Sequence, residues 1–596
     1  MAKEPIIGID LGTTNSVVAT VIDGKPVVLE EDGEGILPSV VAIDSNNKLI
    51  TGTMARNQLA AFPDRTMASV KRHMGTMESI MLGDQSFTPP EISAMILRRL
   101  RDRASRALGQ PVSRAVITVP AFFDENQRQA TREAGELAGL KVERIINEPT
   151  AAALVYHAGS VDRKHILVYD FGGGTFDVSV VRMEDGVVEV LSSKGDTKLG
   201  GDDLDMALMN HVAEDFEKQH QIDLRENVST KFRLLLACEK AKQSLSTEHT
   251  VTIAEEFIAE KDGTPLNLNM QVTREDFESL IVDMIDRTIE CLDRAIADSG
   301  VTSHQIDDLV LVGGSTRVPL VQRRLRQEFY REPSRAVDPD LAVALGAATQ
   351  AAMLNGENVG PVLVDVTSHT LGIEAVDGSM FGSRLVFTPI IHRNSPLPAQ
   401  YEESFSTMSA DQEKAEIHVL QGEHEEIDRN RSIGKFVLDL SVGTGDRSEI
   451  MVLFRLTLDG TLKVTATQTA TGRSKELSVQ NALSQFQDEQ RDLAESRLGA
   501  MFEASDEILD EADLPPRQQW TQVPSESSVS TELLSKYPEA ANMLEKMEGL
   551  KAELTEEDAH ELRVLKQQLI KAMLSEDETE MKIACKELDD VLFYVQ

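Results

Sequence analysis

The sequence predicts a multidomain chain in which α/β structure is followed by β structure and then by α-helices. A strand–loop–strand motif occurs twice in the first part, short apolar runs with turns follow residue 370, and the C-terminal part is acidic and helical in pattern. A chain of 596 residues is too long for one core, so we expect several domains. We place them at 1–361, 369–482 and 483–596, with a linker at 362–368.

The repeated motif reads Asp-Leu-Gly-Thr-Thr-Asn at 10–15 and Asp-Phe-Gly-Gly-Gly-Thr at 170–175. An apolar strand leads into each copy and another follows it. The pairs Asp23-Gly24 and Asp185-Gly186 then turn the chain. The repeat therefore predicts two related α/β halves within residues 1–360, with a ligand cleft between them.

Further signals place the other elements of these halves. Buried-type strands are predicted at 115–120 and 308–312, and helices rich in small residues at 151–153 and 342–348. Asp124 with a glutamine three residues later, and Thr88 with Glu91, are typical helix starts. A long helix is expected from Thr273 to Gly300.

The composition changes after residue 360, where Gly360-Pro361 is expected to end the last helix of the second half. The apolar run 362–366 is unusual for a solvated linker, so we expect a strand or a segment that docks conditionally. Short β runs between 371 and 479 predict a β-sandwich. Residues 483–596 are expected to be helical, with the best-patterned helices between 556 and 592.

Charge and composition exclude several classes of function. The net charge is −39, which disfavours nucleic acid as the main partner, because phosphate binding needs a basic face. No apolar run approaches the ~18 residues of a membrane helix, and no cleavable signal is expected before the first strand. The three cysteines have neither metal-ligand spacing nor an even disulfide number, so we expect a cytoplasmic protein.

The chemistry of the repeated loops indicates a clamp for a polyphosphate. The Walker loop is absent, but Gly12 and the glycines at 172–174 would let the backbone approach phosphate oxygens. Threonines beside them add hydroxyl donors. Asp10 and Asp170 suit a hydrated magnesium ion, which needs few direct carboxylate ligands.

Three motifs, at 7–16, 145–153 and 312–317, carry a resemblance to the seventy-kilodalton heat-shock chaperone family of the bacterial DnaK type. The resemblance implies a duplicated actin-like, ribonuclease-H-like ATPase domain, a β-sandwich that binds peptides and an α-helical lid. It implies a stress-response chaperone with slow hydrolysis of ATP to ADP, coupled through the linker to the binding of extended apolar segments. Unfolded or nascent polypeptides, a J-domain co-chaperone and a nucleotide-exchange factor would be its partners.

The resemblance also implies roles for particular residues. The catalytic positions would be Lys71, Glu148, Asp170 and Thr175. Metal ions, Mg²⁺ with K⁺ as a candidate second ion, would lie among Asp10, Asp170 and Asp177. The ATP-binding residues would be Gly12, Thr13, Thr14, Asn15, Gly172, Gly173, Gly174, Glu239, Lys242, Ser246, Gly313, Gly314, Ser315, Arg317 and Asp340. The spacing of 239, 242 and 246 predicts one helix face, and Gln243 replaces the basic residue of some relatives.

In the sandwich, the resemblance implies a pocket and an arch around one peptide side chain. Their residues would be Leu371, Ile373, Ala375, Val376, Phe405, Met408, Ala415 and Ile417, although part of this set is also expected of a plain sandwich core. Relay between the domains would use Pro120, Arg128, Arg144 and Asp365.

Two departures from the family pattern leave alternatives open. The stretch between Met74 and Thr88 is short, so one subdomain of the first half is trimmed, and prolines at 515, 516 and 524 interrupt the expected lid helix. A chaperone with a single client class, such as iron–sulfur assembly, is therefore an alternative. A small-molecule kinase on the same scaffold is another, but a kinase has no use for a peptide groove.

Overall fold

A computed structural model describes residues 4–44, 48–156, 163–334, 337–379, 382–441, 447–458, 461–478, 488–505 and Leu569. The chain divides into two compact units, Met1–Leu514 and Pro515–Gln596. The predicted proline interruptions, and the predicted helices between 556 and 592 apart from Leu569, lie outside the described residues.

The first half is built on a six-stranded sheet with helices packed against it. The strands, including two smaller sheets, are β1 (Ile6–Leu11), β2 (Asn15–Ile22), β3 (Lys25–Val28), β4 (Ile36–Pro38), β5 (Val40–Ile43), β6 (Leu49–Thr51), β7 (Thr66–Ala68), β8 (Ile80–Leu82), β9 (Gln85–Phe87), β10 (Arg114–Val119) and β11 (Lys141–Asn147). The helices are α1 (Thr53–Gln58), α2 (Pro89–Leu108), α3 (Glu125–Leu137) and α4 (Glu148–Tyr156). The large sheet has the order β11-β10-β1-β2-β3, with β4 paired to β2.

The second half repeats this arrangement. Its strands are β12 (Lys164–Phe171), β13 (Phe176–Glu184), β14 (Val187–Asp196), β15 (Thr250–Lys261), β16 (Thr264–Thr273), β17 (Asp308–Val312) and β18 (Val362–Val364). Its helices are α5 (Gly201–His220), α6 (Val228–Leu245), α7 (Arg274–Ser299), α8 (Pro319–Phe329) and α9 (Ala342–Leu354). The sheet order is β17-β12-β13-β14-β18. Because β1 and β12 each pair in parallel with one neighbour and antiparallel with the next strand, the predicted duplication is confirmed.

The local signals read from the sequence are present with one exception. Helices α2, α3 and α7 begin where expected, each with a capping box, and α7 ends before a left-handed Gly300. Both Asp-Gly turns have positive φ at both residues, as tight hairpins require. The exception is α9, which ends at Leu354 rather than near Gly360, because Gly356 turns the chain with φ of 84°.

Small residues bring the two halves together where α4 and α9 cross. A Cβ atom on Gly346 of α9 would lie 1.8 Å from the carbonyl oxygen of Ala151. A Cβ atom on Gly8 of β1 would lie 2.1 Å from the backbone nitrogen of Ala348. A larger residue at Gly346 would push α9 away from α4, and one at Gly8 would push α9 away from β1. The close packing leaves the ends of β1 and β12 facing one shared cavity.

The apolar segment after residue 360 forms β18, which extends the second sheet by pairing in parallel with β14. The β-sandwich that follows consists of β19 (Leu371–Ser379), β20 (Gly382–Ile391), β21 (Ala399–Ser406), β22 (Lys414–Gln421), β23 (Arg431–Asp439), β24 (Glu449–Leu456), β25 (Leu462–Gln468) and β26 (Ser474–Ser478). Its two sheets have the orders β20-β19-β22-β23 and β21-β24-β25-β26. A last helix, α10 (Asp488–Ser505), buries Leu498 and Phe502 in the core of the first half.

Candidate active site

A cavity of about 570 Å³ lies between the two halves. The repeated loops meet there, since a Cβ atom on Gly173 would lie 1.9 Å from the Thr14 hydroxyl oxygen. Most of the predicted catalytic, nucleotide and metal residues line this cavity: Asp10, Gly12, Thr13, Thr14, Asn15, Lys71, Glu148, Asp170, Gly172, Gly173, Thr175, Lys242, Ser246, Gly313, Gly314, Ser315, Arg317 and Asp340. Gly174, Asp177 and Glu239 are not among the lining residues.

Negative charge dominates the floor of the cavity. Lys71, in a short 3₁₀ turn, forms a buried ion pair with Glu148, the first residue of α4. Burial, followed by the charge of Glu148, raises the pKa of Asp10 to about 7. The same two causes raise the pKa values of Asp170 and Asp177 well above their usual range. One ammonium group thus faces four carboxyl groups, an imbalance that a bound cation would relieve.

The carboxyl groups fit a magnesium ion that keeps most of its water. Among the described residues, no group of three or more His, Cys, Asp or Glu side chains is arranged to hold a metal ion by itself. Magnesium is usually held by one or two carboxylates with water and substrate phosphates, which Asp10 and Asp170 could supply. Asp177 lies behind them and accepts a hydrogen bond of 2.9 Å from the Phe122 N–H.

The opposite end of the cavity is polar but largely charge-balanced. Lys242 donates to Asp205 at 2.7 Å, and Arg317 donates to Asp340 at 2.7 Å. Of the three residues predicted to share one face of α6, Lys242 and Ser246 line the cavity and Glu239 does not. Glu239 accepts a bond of 2.6 Å from Arg56 on α1 and lines a neighbouring cavity of about 590 Å³ instead. This ion pair joins the two halves across the mouth of the cleft.

Several residues around the cleft were missed by the sequence reasoning. Asp202 accepts a hydrogen bond of 2.7 Å from Ser69, and Arg72 lies 3.0 Å from Asp203, so both pairs also join the two halves. Asp205 and Asp202 both line the main cavity. The available signal was the glycine pair at 200–201 followed by two aspartates at the start of α5.

Three of the four predicted relay residues meet around one asparagine. Asn147 accepts a bond of 2.6 Å from Arg128 and donates one of 3.0 Å to Asp365 in the linker. Burial raises the pKa of Asp365, and the charge of Arg144 opposes this shift. Pro120 contributes only its carbonyl oxygen, which accepts from a neighbouring N–H in the same loop.

The sandwich contacts the first half beside this network. The His369 ring lies 4.4 Å from that of Phe122, centroid to centroid, and its Nε2 is 3.1 Å from the Phe122 carbonyl oxygen. Gln421 accepts from the Glu125 N–H at 3.2 Å. The Ser368 hydroxyl of the linker donates to the Ala121 carbonyl oxygen, so the linker and the sandwich are both attached to the loop that precedes α3.

The predicted peptide residues divide into three groups by their exposure. Four are buried in the sandwich core: Leu371, Ile373, Ala415 and Ile417. Phe405 packs against that core and is partly buried, and Ala375 is also partly exposed. Val376 and Met408 are 39% and 56% exposed, so their apolar side chains are open to a ligand.

The structure thus combines a duplicated α/β unit around a polar cleft with a β-sandwich that a docked strand joins to it. A family model described as Hsp70 protein matches residues 6–81 and 76–595, and the chain belongs to the Hsp70 family. Proteins of this family are ATP-dependent chaperones with a duplicated actin-like ATPase domain. The two matched segments overlap at 76–81, inside the stretch that we expect to be shortened. In the parts of the chain that the structure describes, no helix is long and apolar enough to cross a membrane.

Proposed function

We propose that this chain hydrolyses ATP in the cleft, and that the bound nucleotide sets its affinity for extended apolar segments of unfolded proteins. The observation that carries the proposal is the position of two adjacent residues. Glu148 faces the cleft and pairs with Lys71, whereas Asn147 holds Asp365 of the linker. A movement of Glu148 would therefore be transmitted to the linker over a single peptide bond.

In the cleft, the chain's own residues would position the reactants. The glycine loops would bring backbone N–H groups to the phosphates, and Thr13, Thr14 and Thr175 would donate hydroxyl bonds. Lys71 and Glu148 would orient the attacking water at the γ-phosphate, with Asp10 and Asp170 on the metal side. Magnesium, when bound, supplies positive charge between the phosphates, and K⁺ is a candidate second ion. Such a site acts mainly by positioning and electrostatics.

In the sandwich, an extended peptide would lie beside Val376 and Met408, with one apolar side chain directed toward Phe405 and the core beneath. The burial of one apolar side chain would contribute about 1.5–3 kcal/mol, in addition to main-chain hydrogen bonds. The affinity would therefore be modest, and peptides of many sequences would bind. Such affinity suits a chaperone of unfolded or nascent chains in the cytoplasm, including under stress. A J-domain co-chaperone and a nucleotide-exchange factor would be its partners. The short stretch before Thr88 keeps a dedicated, single-client chaperone as the alternative.

The test is ATP turnover by the full chain with and without an unfolded apolar peptide and a J-domain protein. Slow basal hydrolysis that both additions stimulate would support a chaperone. Stimulation by one client only would favour the dedicated alternative. Transfer of phosphate to a small molecule, with no effect of peptide, would overturn the proposal.

A further inference from the structure

Three polar side chains form a hydrogen-bonded line on one face of the sandwich. Glu374 Oε2 lies 2.6 Å from His418 Nδ1, and His418 Nε2 lies 2.9 Å from the Ser432 hydroxyl oxygen. A carboxylate can only accept, so the imidazole proton belongs on Nδ1. The neutral ring then presents a lone pair at Nε2, and the Ser432 hydroxyl donates to it.

Strand register explains why these residues meet. On β19 and β22 the core-facing positions include Ile373 and Val419, which are paired with each other. Glu374 and His418 are the next residues along the two strands, so their side chains lie on the opposite face of the sheet. Glu374 and His418 belong to neighbouring strands, so their side chains are within contact distance.

A β-bulge brings the serine into line. Val419 pairs with Gly434 and Leu420 pairs with Ser432, so Ile433 is the extra residue on β23. Ile433 is buried. The one-residue shift that it causes in the pairing of β23 with β22 places Ser432 within hydrogen-bond reach of His418. Bulges of this kind re-aim a side chain, and they are frequent beside active sites.

Ser432 is open to a reagent, whereas His418 is buried and fixed, which is what an activated nucleophile and its base require. Ser432 is exposed and lies on β23, the edge strand of its sheet, so a reagent can approach it. His418 is only 8% exposed and is held at both ring nitrogens. A nucleophile bonded to a base, with that base oriented by a third group, is the arrangement that activates serine hydroxyls.

We propose that Ser432 is an activated nucleophile that accepts an acyl group from activated esters or thioesters. In this step the Ser432 oxygen attacks the acyl carbon, and its proton passes to His418 Nε2. The bond to the alcohol or thiol breaks, and the leaving group takes that proton from the imidazole. Glu374 accepts from Nδ1 throughout and stabilises the transient imidazolium. The product is an ester on Ser432, placed on the sandwich and outside the nucleotide cleft.

The experiment treats the full chain with a fluorophosphonate probe and with a nitrophenyl ester, and locates the modified residues by peptide mass spectrometry. Ser404 is the matched control, because it is an exposed serine of the same sandwich that donates to Glu449 at 2.7 Å with no imidazole involved. We expect labelling of Ser432 to exceed that of Ser404 by about 10²-fold, the lower end of what a general base supplies. Ser432→Ala should abolish it, His418→Gln should reduce it to the level of Ser404, and Glu374→Gln should lower it partly.

The pH profile of the unaltered protein keeps the proposal testable if a variant fails to fold. Labelling should slow in acid, where a protonated imidazole cannot accept the hydroxyl proton, while labelling of Ser404 should change much less. If the array merely satisfies the hydrogen bonds of a buried histidine, Ser432 and Ser404 will label equally and with the same pH profile. That result would overturn the proposal.

Discussion

Lys71 and Glu148 form an ion pair whose side chains are only 5% and 9% exposed, in the cleft between the two halves. The Lys71 ammonium also lies 5.8 Å from the centroid of the Phe123 ring. Two charges at this depth are held in place by each other and by Asp10, Asp170 and the backbone around them. The pair is therefore a fixed element of the cleft and well suited to orient a water molecule.

Lys71→Ala should lower ATP hydrolysis by roughly 10²-fold or more while nucleotide binding is largely kept, because the variant loses a positioning group but none of the phosphate-binding loops. Single-turnover hydrolysis and equilibrium nucleotide binding would measure the two effects separately. Lys164→Ala is the control, since that lysine pairs with Asp308 at 3.5 Å and does not line the cleft. Loss of nucleotide binding in Lys71→Ala would contradict the assigned role.

Arg56→Ala should speed the release of bound nucleotide by about 2- to 5-fold, which corresponds to the loss of ~0.5–1 kcal/mol from a partly exposed ion pair. The Arg56–Glu239 contact of 2.6 Å joins the two halves across the cleft mouth, and the two side chains are 33% and 18% exposed. Release of a fluorescent nucleotide would give the rate. Arg65→Ala, which removes an exposed pair with the neighbouring Asp64, should have no effect.

A double-mutant cycle separates the contribution of the Arg56–Glu239 contact from other effects of the two substitutions on nucleotide release. Adding Glu239→Gln to Arg56→Ala should change the release rate no further, because the contact is already lost. If the two substitutions instead act additively, the cross-cleft pair does not limit nucleotide release.

Local rules predicted most elements of this fold, whereas contacts between distant segments could not be predicted. The helix starts at Thr88, Asp124 and Thr273, and the paired Asp-Gly turns, depend on residues close in sequence and were found where expected. The end of α9 was misplaced because Gly360-Pro361 is the stronger signal, but Gly356 comes first.

The same distinction applies to the sites. The repeated loops identified half of the predicted residues that line the cleft, because both copies are continuous motifs, whereas residues such as Lys71 and Glu148 were predicted from the family resemblance. The contact of Glu239 with Arg56 could not be predicted, since the two residues are 183 positions apart and no spacing rule links them. The meeting of Ser432 with His418 depends on a bulge at Ile433, which the alternation of polar and apolar residues does not reveal.

Asn147→Ala should leave most of the basal ATP hydrolysis intact but reduce its stimulation by peptide. The change removes the bonds of Asn147 to Arg128 and Asp365, and so removes the bond between the linker and the junction of β11 and α4. Hydrolysis with and without peptide would be compared for the variant and the unaltered chain. Adding Asp365→Ala should cause little further loss of stimulation, because both substitutions break one network. Unchanged stimulation in Asn147→Ala would show that this network does not couple peptide binding to ATP hydrolysis.

Without nucleotide and magnesium, the protein should unfold at a higher temperature at about pH 6 than at about pH 8. The pKa of Asp10 rises from 3.8 to about 7 in the folded cleft, and the pKa values of Asp170 and Asp177 also rise. A carboxyl group with a raised pKa binds its proton more tightly in the folded state. Its stabilising contribution is complete below the unfolded value and is lost as the pH rises through about 7. The carboxylates then repel one another in the buried cleft.

Magnesium with ADP should remove most of this pH dependence, because a cation beside the carboxylates compensates their charge. Asp10→Asn should flatten the dependence in the free protein, whereas Asp64→Asn, at a side chain that is 73% exposed, should leave it unchanged. Melting curves at the two pH values, with and without magnesium and ADP, would measure each effect. An Asp10→Asn variant with the full pH dependence of the unaltered chain would show that the buried Asp10 carboxyl is not its source.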